Sequence, residues 1–391
     1  MAHDYFPSLM HKTQMSDAVV TRTAIVIGGG LAGCATAYAL AKRGVSVTLL
    51  ERATALASGA SGNSRGIIYA RFSAGSTPLQ QFLLAAYDHT LALLDAVLPV
   101  DGVHRAECGL LQLAATTAEA RRIAELSATT WSARVLQSVS AKQASALAGL
   151  PMTVGGVWFP RGGWVVPPVV CAALVAHPLI EKRFNAEVAT LKKTTSGWRV
   201  AGENFTYQAD AVVVCCALQT KHLSQFSGFP LQAVRGQISQ LAATPDSAQL
   251  RAVVCAEGYC TPALAGHHVI GATTQFDEES LELRAADHQE NITQLAAHFP
   301  AMTQALGEID ISKISGRAGV RCSTPGSMPL VGEVEAGLFC SLAHGTRGLL
   351  TTGIAGDIIA AQVAGQLPWL PASVLGALSP KRLRLNASDK E

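Results

Sequence analysis

One segment restricts the fold more than any other: Thr23-Ala-Ile-Val-Ile-Gly-Gly-Gly-Leu-Ala-Gly33, followed by Val45-Ser-Val-Thr-Leu-Leu-Glu51. It reads as apolar strand, glycine turn, small-residue helix, second apolar strand and a closing acid. Gly28 permits the tight turn, Gly30 lets a pyrophosphate approach the backbone, and Gly33 lets helix and strand pack closely. The helix start offers unpaired N–H groups and the positive end of its dipole to phosphate. Glu51 lies 18 residues beyond Gly33, placed to accept hydrogen bonds from ribose hydroxyls. Such a chain is expected to hold a dinucleotide at the edge of a parallel sheet.

At 391 residues, more than one core usually serves, two domains are expected. With 49% apolar and 15% charged residues, the chain should be well buried. No apolar run reaches the ~18 residues that a membrane span needs. The longest, Leu349 to Ala364, is broken by Asp357 and glycines. The N-terminus lacks a secretion signal's basic and apolar regions, so a cytoplasmic location is expected. Nine cysteines show no CxxC pair and no zinc-like spacing with histidine, so they read as small hydrophobes and no metal site is expected. A net charge of +2 neither requires nor excludes a nucleic-acid partner.

Along the chain, residues 1–20 read as disordered, with Met15 an alternative start. The loop Ala57-Ser-Gly-Ala-Ser-Gly-Asn63 offers further hydrogen bonds to a diphosphate. Residues 78–98, 117–148 and 283–306 have helical periodicity, and 230–275 alternate as strands. Residues 155–167 read as a turn-rich connection. Asp210-Ala-Val-Val-Val-Cys-Cys-Ala217 reads as a central parallel strand, and Gly345–Gly348 opens a last helix to about 365. The expected cofactor domain comprises 21–77, 150–228 and 315–378. The substrate domain comprises 78–149 and 229–314, and 379–391 form a basic tail.

The glycine unit with Glu51, the Gly59-Ala-Ser-Gly-Asn63 loop, Gly162-Gly-Trp164 with Pro167, and Arg317-Ala-Gly-Val-Arg-Cys-Ser-Thr324 resemble the D-amino acid oxidase and glycine oxidase superfamily of FAD enzymes. Further motifs, Cys108-Gly-Leu-Leu-Gln-Leu113, Arg235-Gly-Gln237, Gly258-Tyr-Cys-Thr-Pro262, Gly271-Ala272, Met328-Pro-Leu-Val-Gly332 and Gly345-Thr-Arg-Gly348, bring the chain closer to one branch. That branch is the FAD-dependent domain of the bifunctional tRNA 5-methylaminomethyl-2-thiouridine biosynthesis proteins. The resemblance implies an α/β fold, a Rossmann-type FAD-binding domain assembled from separated segments, with an inserted β-rich α+β substrate domain. It also implies FAD-dependent removal of the carboxymethyl group from 5-carboxymethylaminomethyl-(2-thio)uridine at the tRNA wobble position. The products would be the aminomethyl base and glyoxylate. The chain's length leaves no room for the methyltransferase domain of those proteins, so a separate methyltransferase is the expected partner.

The expected FAD contacts are Gly28, Gly30, Gly33, Glu51, Arg52, Ser58, Ala60, Ser61, Asn63, Gly66, Gly345 and Gly348. A substrate carboxylate in an apolar pocket calls for a guanidinium fork. Arg321 and Arg347 are the candidates, because the matching family positions face the flavin; Arg317 is weaker. Tyr259 is placed to meet the carboxylate or amine, against the alternative of a core aromatic. His344 reads mainly as a structural loop residue with a possible base role, and Cys322 as a remote candidate for covalent flavin attachment. For tRNA, only scattered cations stand out: Lys42-Arg43, Lys192-Lys193 and Lys381-Arg-Leu-Arg384. Two alternatives stay open at this stage: an FAD oxidase or dehydrogenase of a free small amino acid (glycine, sarcosine or a D-amino acid), and a flavin-binding scaffold without catalysis.

Overall fold

A computed structural model describes residues 23–129, 131–326 and 328–383. The expected disordered N-terminus with Met15, and the tail from Arg384 onward, lie outside the described residues. A six-stranded sheet runs in the order Leu330–Glu335, Leu338–Leu342, Ala211–Val214, Thr23–Ile27, Ser46–Leu50, Ile180–Arg183. All neighbours are parallel except the first pair. Sequence-distant strands thus rebuild one doubly wound sheet, with Val212, Val213 and Val214 buried at its centre.

Helix Leu31–Ala41 is buried nearly all round and packs against helix Gly348–Val363. Small residues make that crossing possible. A Cβ on Gly356 would lie 2.8 Å from the Thr36 nitrogen. Helix Pro78–Val97 packs on the same Gly348–Val363 helix, where the Thr90 hydroxyl donates to the Leu350 carbonyl at 2.8 Å.

The second layer is a nine-stranded mixed sheet. Its long strand Gln232–Ala242 pairs along its whole middle with Ser315–Ser323. Beyond it follow His267–Gly271, Tyr259–Cys260, Val253–Cys255, Leu110–Leu113, Gly156–Phe159 and Gln137–Val139. Two segments expected on the cofactor side, Gly156–Phe159 and Ser315–Ser323, hydrogen-bond into this sheet. Conversely Pro78–Val97, expected on the substrate side, packs with the cofactor helices. Strand pairing between distant segments sets these placements, and periodicity carries no record of it.

Local differences have local causes. The helical stretch 117–148 resolves into Thr117–Ser127 and Ala141–Ala148 around the edge strand Gln137–Val139. The second helix starts at a capping box, Ser140 with Gln143. Residues 283–306 split into Ala285–His298 and Pro300–Leu306, because Pro300 has no N–H to continue the first helix. The connection 155–167 contains two short strands, Gly156–Phe159 and Gly163–Val165.

Candidate active site

The glycine turn forms a cradle whose walls are backbone. Gly28 has φ +108°, and a Cβ there would lie 2.7 Å from the Cys215 carbonyl oxygen. At Gly33 a Cβ would lie 1.8 Å from the Gly28 oxygen. Gly30 differs, since a Cβ there would meet only the Ser61 side chain, at 3.0 Å. Space for a phosphate is therefore kept at Gly30, while Gly28 and Gly33 serve turn and packing. Helix Leu31–Ala41 begins without a side-chain cap and without an acid in its first turn, and the Leu31 N–H donates to Ser61 Oγ at 3.0 Å. Glu51 accepts from the N–H groups of Gly29 (2.6 Å) and Ala53 (2.8 Å), which fixes its carboxylate at the strand end. This donor and acceptor set fits the diphosphate and ribose of FAD.

The other expected contacts divide. Ala60 and Ser61 lie in the turn Ala60–Gly62 beside the cradle. Ser58 donates to the Ala55 carbonyl at 2.7 Å and so holds its own loop. Gly66 opens a short strand where a Cβ would crowd Pro167 and Leu349, at 3.0 and 3.2 Å. The Arg52 side chain is 54% exposed, with Glu187 at 4.0 Å. Gly345 has φ +55°, and Gly348 starts helix Gly348–Val363, which also lacks a side-chain cap and a first-turn acid.

Strand register assembles the substrate side. Gln112 pairs with Cys255, Cys255 with Tyr259, and Tyr259 with Gly271. Directly paired residues project to the same face of a sheet. Continuing the alternation through Ile238 and Arg317 places Arg321 on that face too. Arg317 marks what the face looks at, because its guanidinium donates to the Gly59 carbonyl at 2.6 Å and reaches Asn63 Oδ1 at 3.5 Å. It straps the cofactor loop to the sheet rather than standing open to a substrate.

Arg321 lies across Gly236, where a Cβ would sit 2.0 Å from Nη2. Its donors reach the carbonyls of Thr273 (3.0 Å), Arg235 (3.3 Å) and Val234 (3.4 Å). Among the described residues no carboxylate lies within ion-pair distance of it. Burial pulls its pKa below the ordinary arginine value, opposed by nearby Tyr259. A half-buried cation held only by backbone carbonyls is matched to an incoming carboxylate. Burial likewise raises the Tyr259 pKa, so the phenol stays protonated and can donate. Arg235 behaves otherwise. Fully buried, it is ion-paired to Asp287 at 2.5 Å and braces the back of the same sheet.

Arg347 ends the turn Gly345–Arg347 and sits near Tyr69 and Arg71, with burial the main cause of its lowered pKa. His344 has both ring nitrogens engaged, Nδ1 with Thr351 Oγ1 (2.8 Å) and Nε2 with Ser341 Oγ (3.0 Å). That is a structural role. Burial lowers its pKa to about 4. Cys322 packs into the core beside Leu330 and Leu342, with its thiol pushed up by burial to about 12, which disfavours the thiolate that a covalent link requires.

His344 carries a pH prediction. The folded pKa lies near 4 against an ordinary 6.5, so between those values the unfolded chain binds the proton and the native chain does not. Stability must then fall as pH drops through that window, with a loss of about 2 kcal/mol from this group by pH 4.5. Urea unfolding at pH 7 and pH 4.5 should show a smaller pH effect in His344→Gln than in the wild type. An identical pH effect in both proteins would refute the assignment.

Several site residues were not found from the sequence. Arg65, buried, donates to the carbonyls of Pro262 (2.7 Å), His267 (2.9 Å) and Leu264 (3.2 Å), and its guanidinium lies 5.3 Å from the Trp164 ring centroid. It ties the cofactor loop to the substrate sheet. Tyr69, Gln112 and Glu119 form a polar chain near Arg347. The available signals were a charge amid small residues at 62–66 and a lone glutamine in an apolar strand. The expected tRNA cations are partly spent on the fold. Arg43 pairs with Asp357 (2.9 Å), Lys193 with Glu335 (3.1 Å) and Lys381 with Glu333 (3.5 Å), while Arg382 donates to the Met328 carbonyl (2.9 Å).

A dinucleotide cradle set against an arginine-bearing sheet is the arrangement of a flavin-dependent oxidoreductase. The chain belongs to the DAO family of FAD-dependent oxidoreductases, whose sequence profile matches residues 23–362. It is 48% identical over 92% of its length to a tRNA 5-methylaminomethyl-2-thiouridine biosynthesis bifunctional protein MnmC from Nitrosospira multiformis. It is 36% identical over 93% of its length to the protein of the same name from Chromobacterium violaceum. The chain spans 60% of the length of each of these relatives. Among solved structures, glycine oxidase from Geobacillus kaustophilus superposes with a TM-score of 0.76 at 24% identity, covering 92% of this chain and 98% of that one. L-proline dehydrogenase from P. horikoshii gives a TM-score of 0.76 at 16% identity, covering 94% and 99%. Both share the fold. No helix among the described residues is long and apolar enough to cross a membrane.

Proposed function

We propose that this chain removes the carboxymethyl group of 5-carboxymethylaminomethyl-(2-thio)uridine at the tRNA wobble position, yielding the aminomethyl base and glyoxylate. The observation that carries this is the 48% identity to a tRNA-modifying relative over almost the whole chain. The site is chemically consistent with it. The group to be cut is an N-substituted glycine, whose carboxylate matches the buried Arg321 and the protonated Tyr259. FAD bound in the cradle would take two electrons, as hydride, from the carbon between amine and carboxylate. The resulting imine adds water and splits into aminomethyl base and glyoxylate. Arg321 holds the carboxylate so that this carbon, rather than the one next to the base, is presented. No residue need abstract a proton if the amine arrives neutral. Arg52 remains among the proposed cofactor contacts, and Arg317 acts through the loop it holds. Methylation of the product by a separate methyltransferase remains part of the proposal, as does a cytoplasmic location, where tRNA would be met.

The test is anaerobic bleaching of the oxidised-flavin band. Purified protein is mixed with tRNA bearing the carboxymethylaminomethyl base and, in parallel, with glycine, sarcosine and D-alanine. Bleaching by the tRNA, with glyoxylate formed, is the expected result. Bleaching by a free amino acid alone would replace this function with that of a small-molecule amine oxidase.

A further inference from the structure

The cofactor-facing side of the large sheet holds a polar pair that carboxylate binding at Arg321 does not use. Gln112 is only 1% exposed, yet its side-chain carbonyl oxygen meets no hydrogen-bond donor among the described residues. Its surroundings fix which way the amide points. Nε2 donates to Glu119 Oε2 at 3.0 Å and to the Tyr69 hydroxyl at 3.3 Å. Burial pushes the Glu119 carboxyl up, but hydrogen bonds from Arg122 and Arg71 outweigh it and hold the group below its ordinary range. A carboxylate only accepts, so the amide nitrogen faces it and the carbonyl oxygen faces away. Tyr69 receives an amide hydrogen on its oxygen, which leaves its own proton free to donate. Burial raises its pKa, so that proton is kept.

The outcome is an acceptor and a donor side by side, Gln112 Oε1 and Tyr69 O–H, backed by the Glu119–Arg71–Arg122 cluster. A ligand that satisfies both presents a donor next to an acceptor. A carboxylate only accepts and an ammonium only donates. The imide edge of a uracil, N3–H beside a ring carbonyl, has the required pattern. The pair also lies in the right place, with Gln112 one strand from Cys255 and two from Tyr259, and Tyr69 near Arg347.

We infer that Gln112 and Tyr69 read the imide edge of a pyrimidine base whose 5-substituent extends toward Arg321. This rests on the wobble-uridine function proposed above and adds to it a basis for specificity. Free glycine, sarcosine and D-amino acids have no such edge. The Gln112 oxygen is covered when no base is present, so admitting the base requires a side chain packed over it to move. Glu119 and its two arginines act as positioning residues, because they orient the amide without touching the base.

The experiment is rapid anaerobic flavin reduction of the FAD-loaded protein by an anticodon stem-loop RNA carrying the carboxymethylaminomethyl base, with or without a methyl group on N3. A site built around an N–H should disfavour the N3-methyl RNA by at least about 30-fold in the wild type. Gln112→Met should bring that ratio within about 3-fold of unity, since the buried acceptor is gone. Tyr69→Phe should raise the RNA concentration for half-maximal reduction about 10-fold and leave the limiting rate nearly unchanged, a split that general loosening of the fold would not produce. Equal reduction of both RNAs by the wild type overturns the inference. So does an undiminished ratio in flavin-bound Gln112→Met, or an unchanged concentration dependence in Tyr69→Phe; the Tyr69 variant decides alone if the Gln112 variant does not fold. Reduction by sarcosine but by neither RNA would instead refute the wobble-uridine function, and this inference with it.

Discussion

Arg321→Met should reduce kcat/KM for flavin reduction on the order of a thousandfold, from loss of a buried charge-assisted bond to the substrate carboxylate worth roughly 4 kcal/mol. The expectation follows from what surrounds the guanidinium. It is half-buried and bonded to three backbone carbonyls, with no carboxylate among the described residues to neutralise it. Arg321→Lys should recover only part of the activity, since a single ammonium cannot hold both carboxylate oxygens in one plane. Gly236→Ala tests the same point with the arginine intact. A Cβ there would lie 2.0 Å from Nη2 and must displace the guanidinium, so activity should fall comparably. A loss below about fivefold in Arg321→Met would mean that the carboxylate is held elsewhere, with Arg347 the next residue to test.

Substitution in the glycine turn should separate folding from cofactor binding. Gly33→Ala puts a Cβ 1.8 Å from the Gly28 oxygen, a backbone atom that cannot rotate aside. We expect destabilisation above about 3 kcal/mol and largely insoluble protein. Gly30→Ala meets only the Ser61 side chain, at 3.0 Å, so the chain should fold with nearly normal thermal stability in the absence of FAD. Its new methyl group would occupy the approach of the pyrophosphate, and FAD affinity should fall at least about 100-fold. Soluble yield, circular dichroism and flavin content of the two variants read these effects apart. A Gly30→Ala protein that purifies bright yellow would show that phosphate does not approach there.

The cofactor half of the site was legible because its chemistry is local. Gly28, Gly30, Gly33 and Glu51 lie within one strand–helix–strand unit, where φ angles, close approach and a terminal acid all leave marks on the sequence. Arg52 follows Glu51 in the sequence, but adjacency says nothing about direction, and its side chain is half-exposed beside Glu187. The substrate half was legible only through family resemblance. Nothing local to Arg321 or Tyr259 reveals that they share a sheet face, because that follows from register across strands drawn from distant parts of the chain. Gln112 and Tyr69 went unrecognised for the same reason. In the sequence, Gln112 is one polar residue in an apolar strand, and its meaning depends on Glu119 in the following helix and on Tyr69 more than forty residues earlier.

By itself, then, the sequence determined what nearest neighbours along the chain can enforce. This comprises the dinucleotide turn, the apolar strands of a parallel sheet and a buried α/β architecture. Only the tertiary structure decided which arginine is compensated and which is not. Arg235 and Arg321 lie on adjacent strands with similar flanks, yet one is neutralised by Asp287 and the other faces the cofactor side with no acid paired to it among the described residues. Alternation along a strand sends neighbouring side chains to opposite faces, and which face meets the cofactor is fixed only when the two layers close on each other.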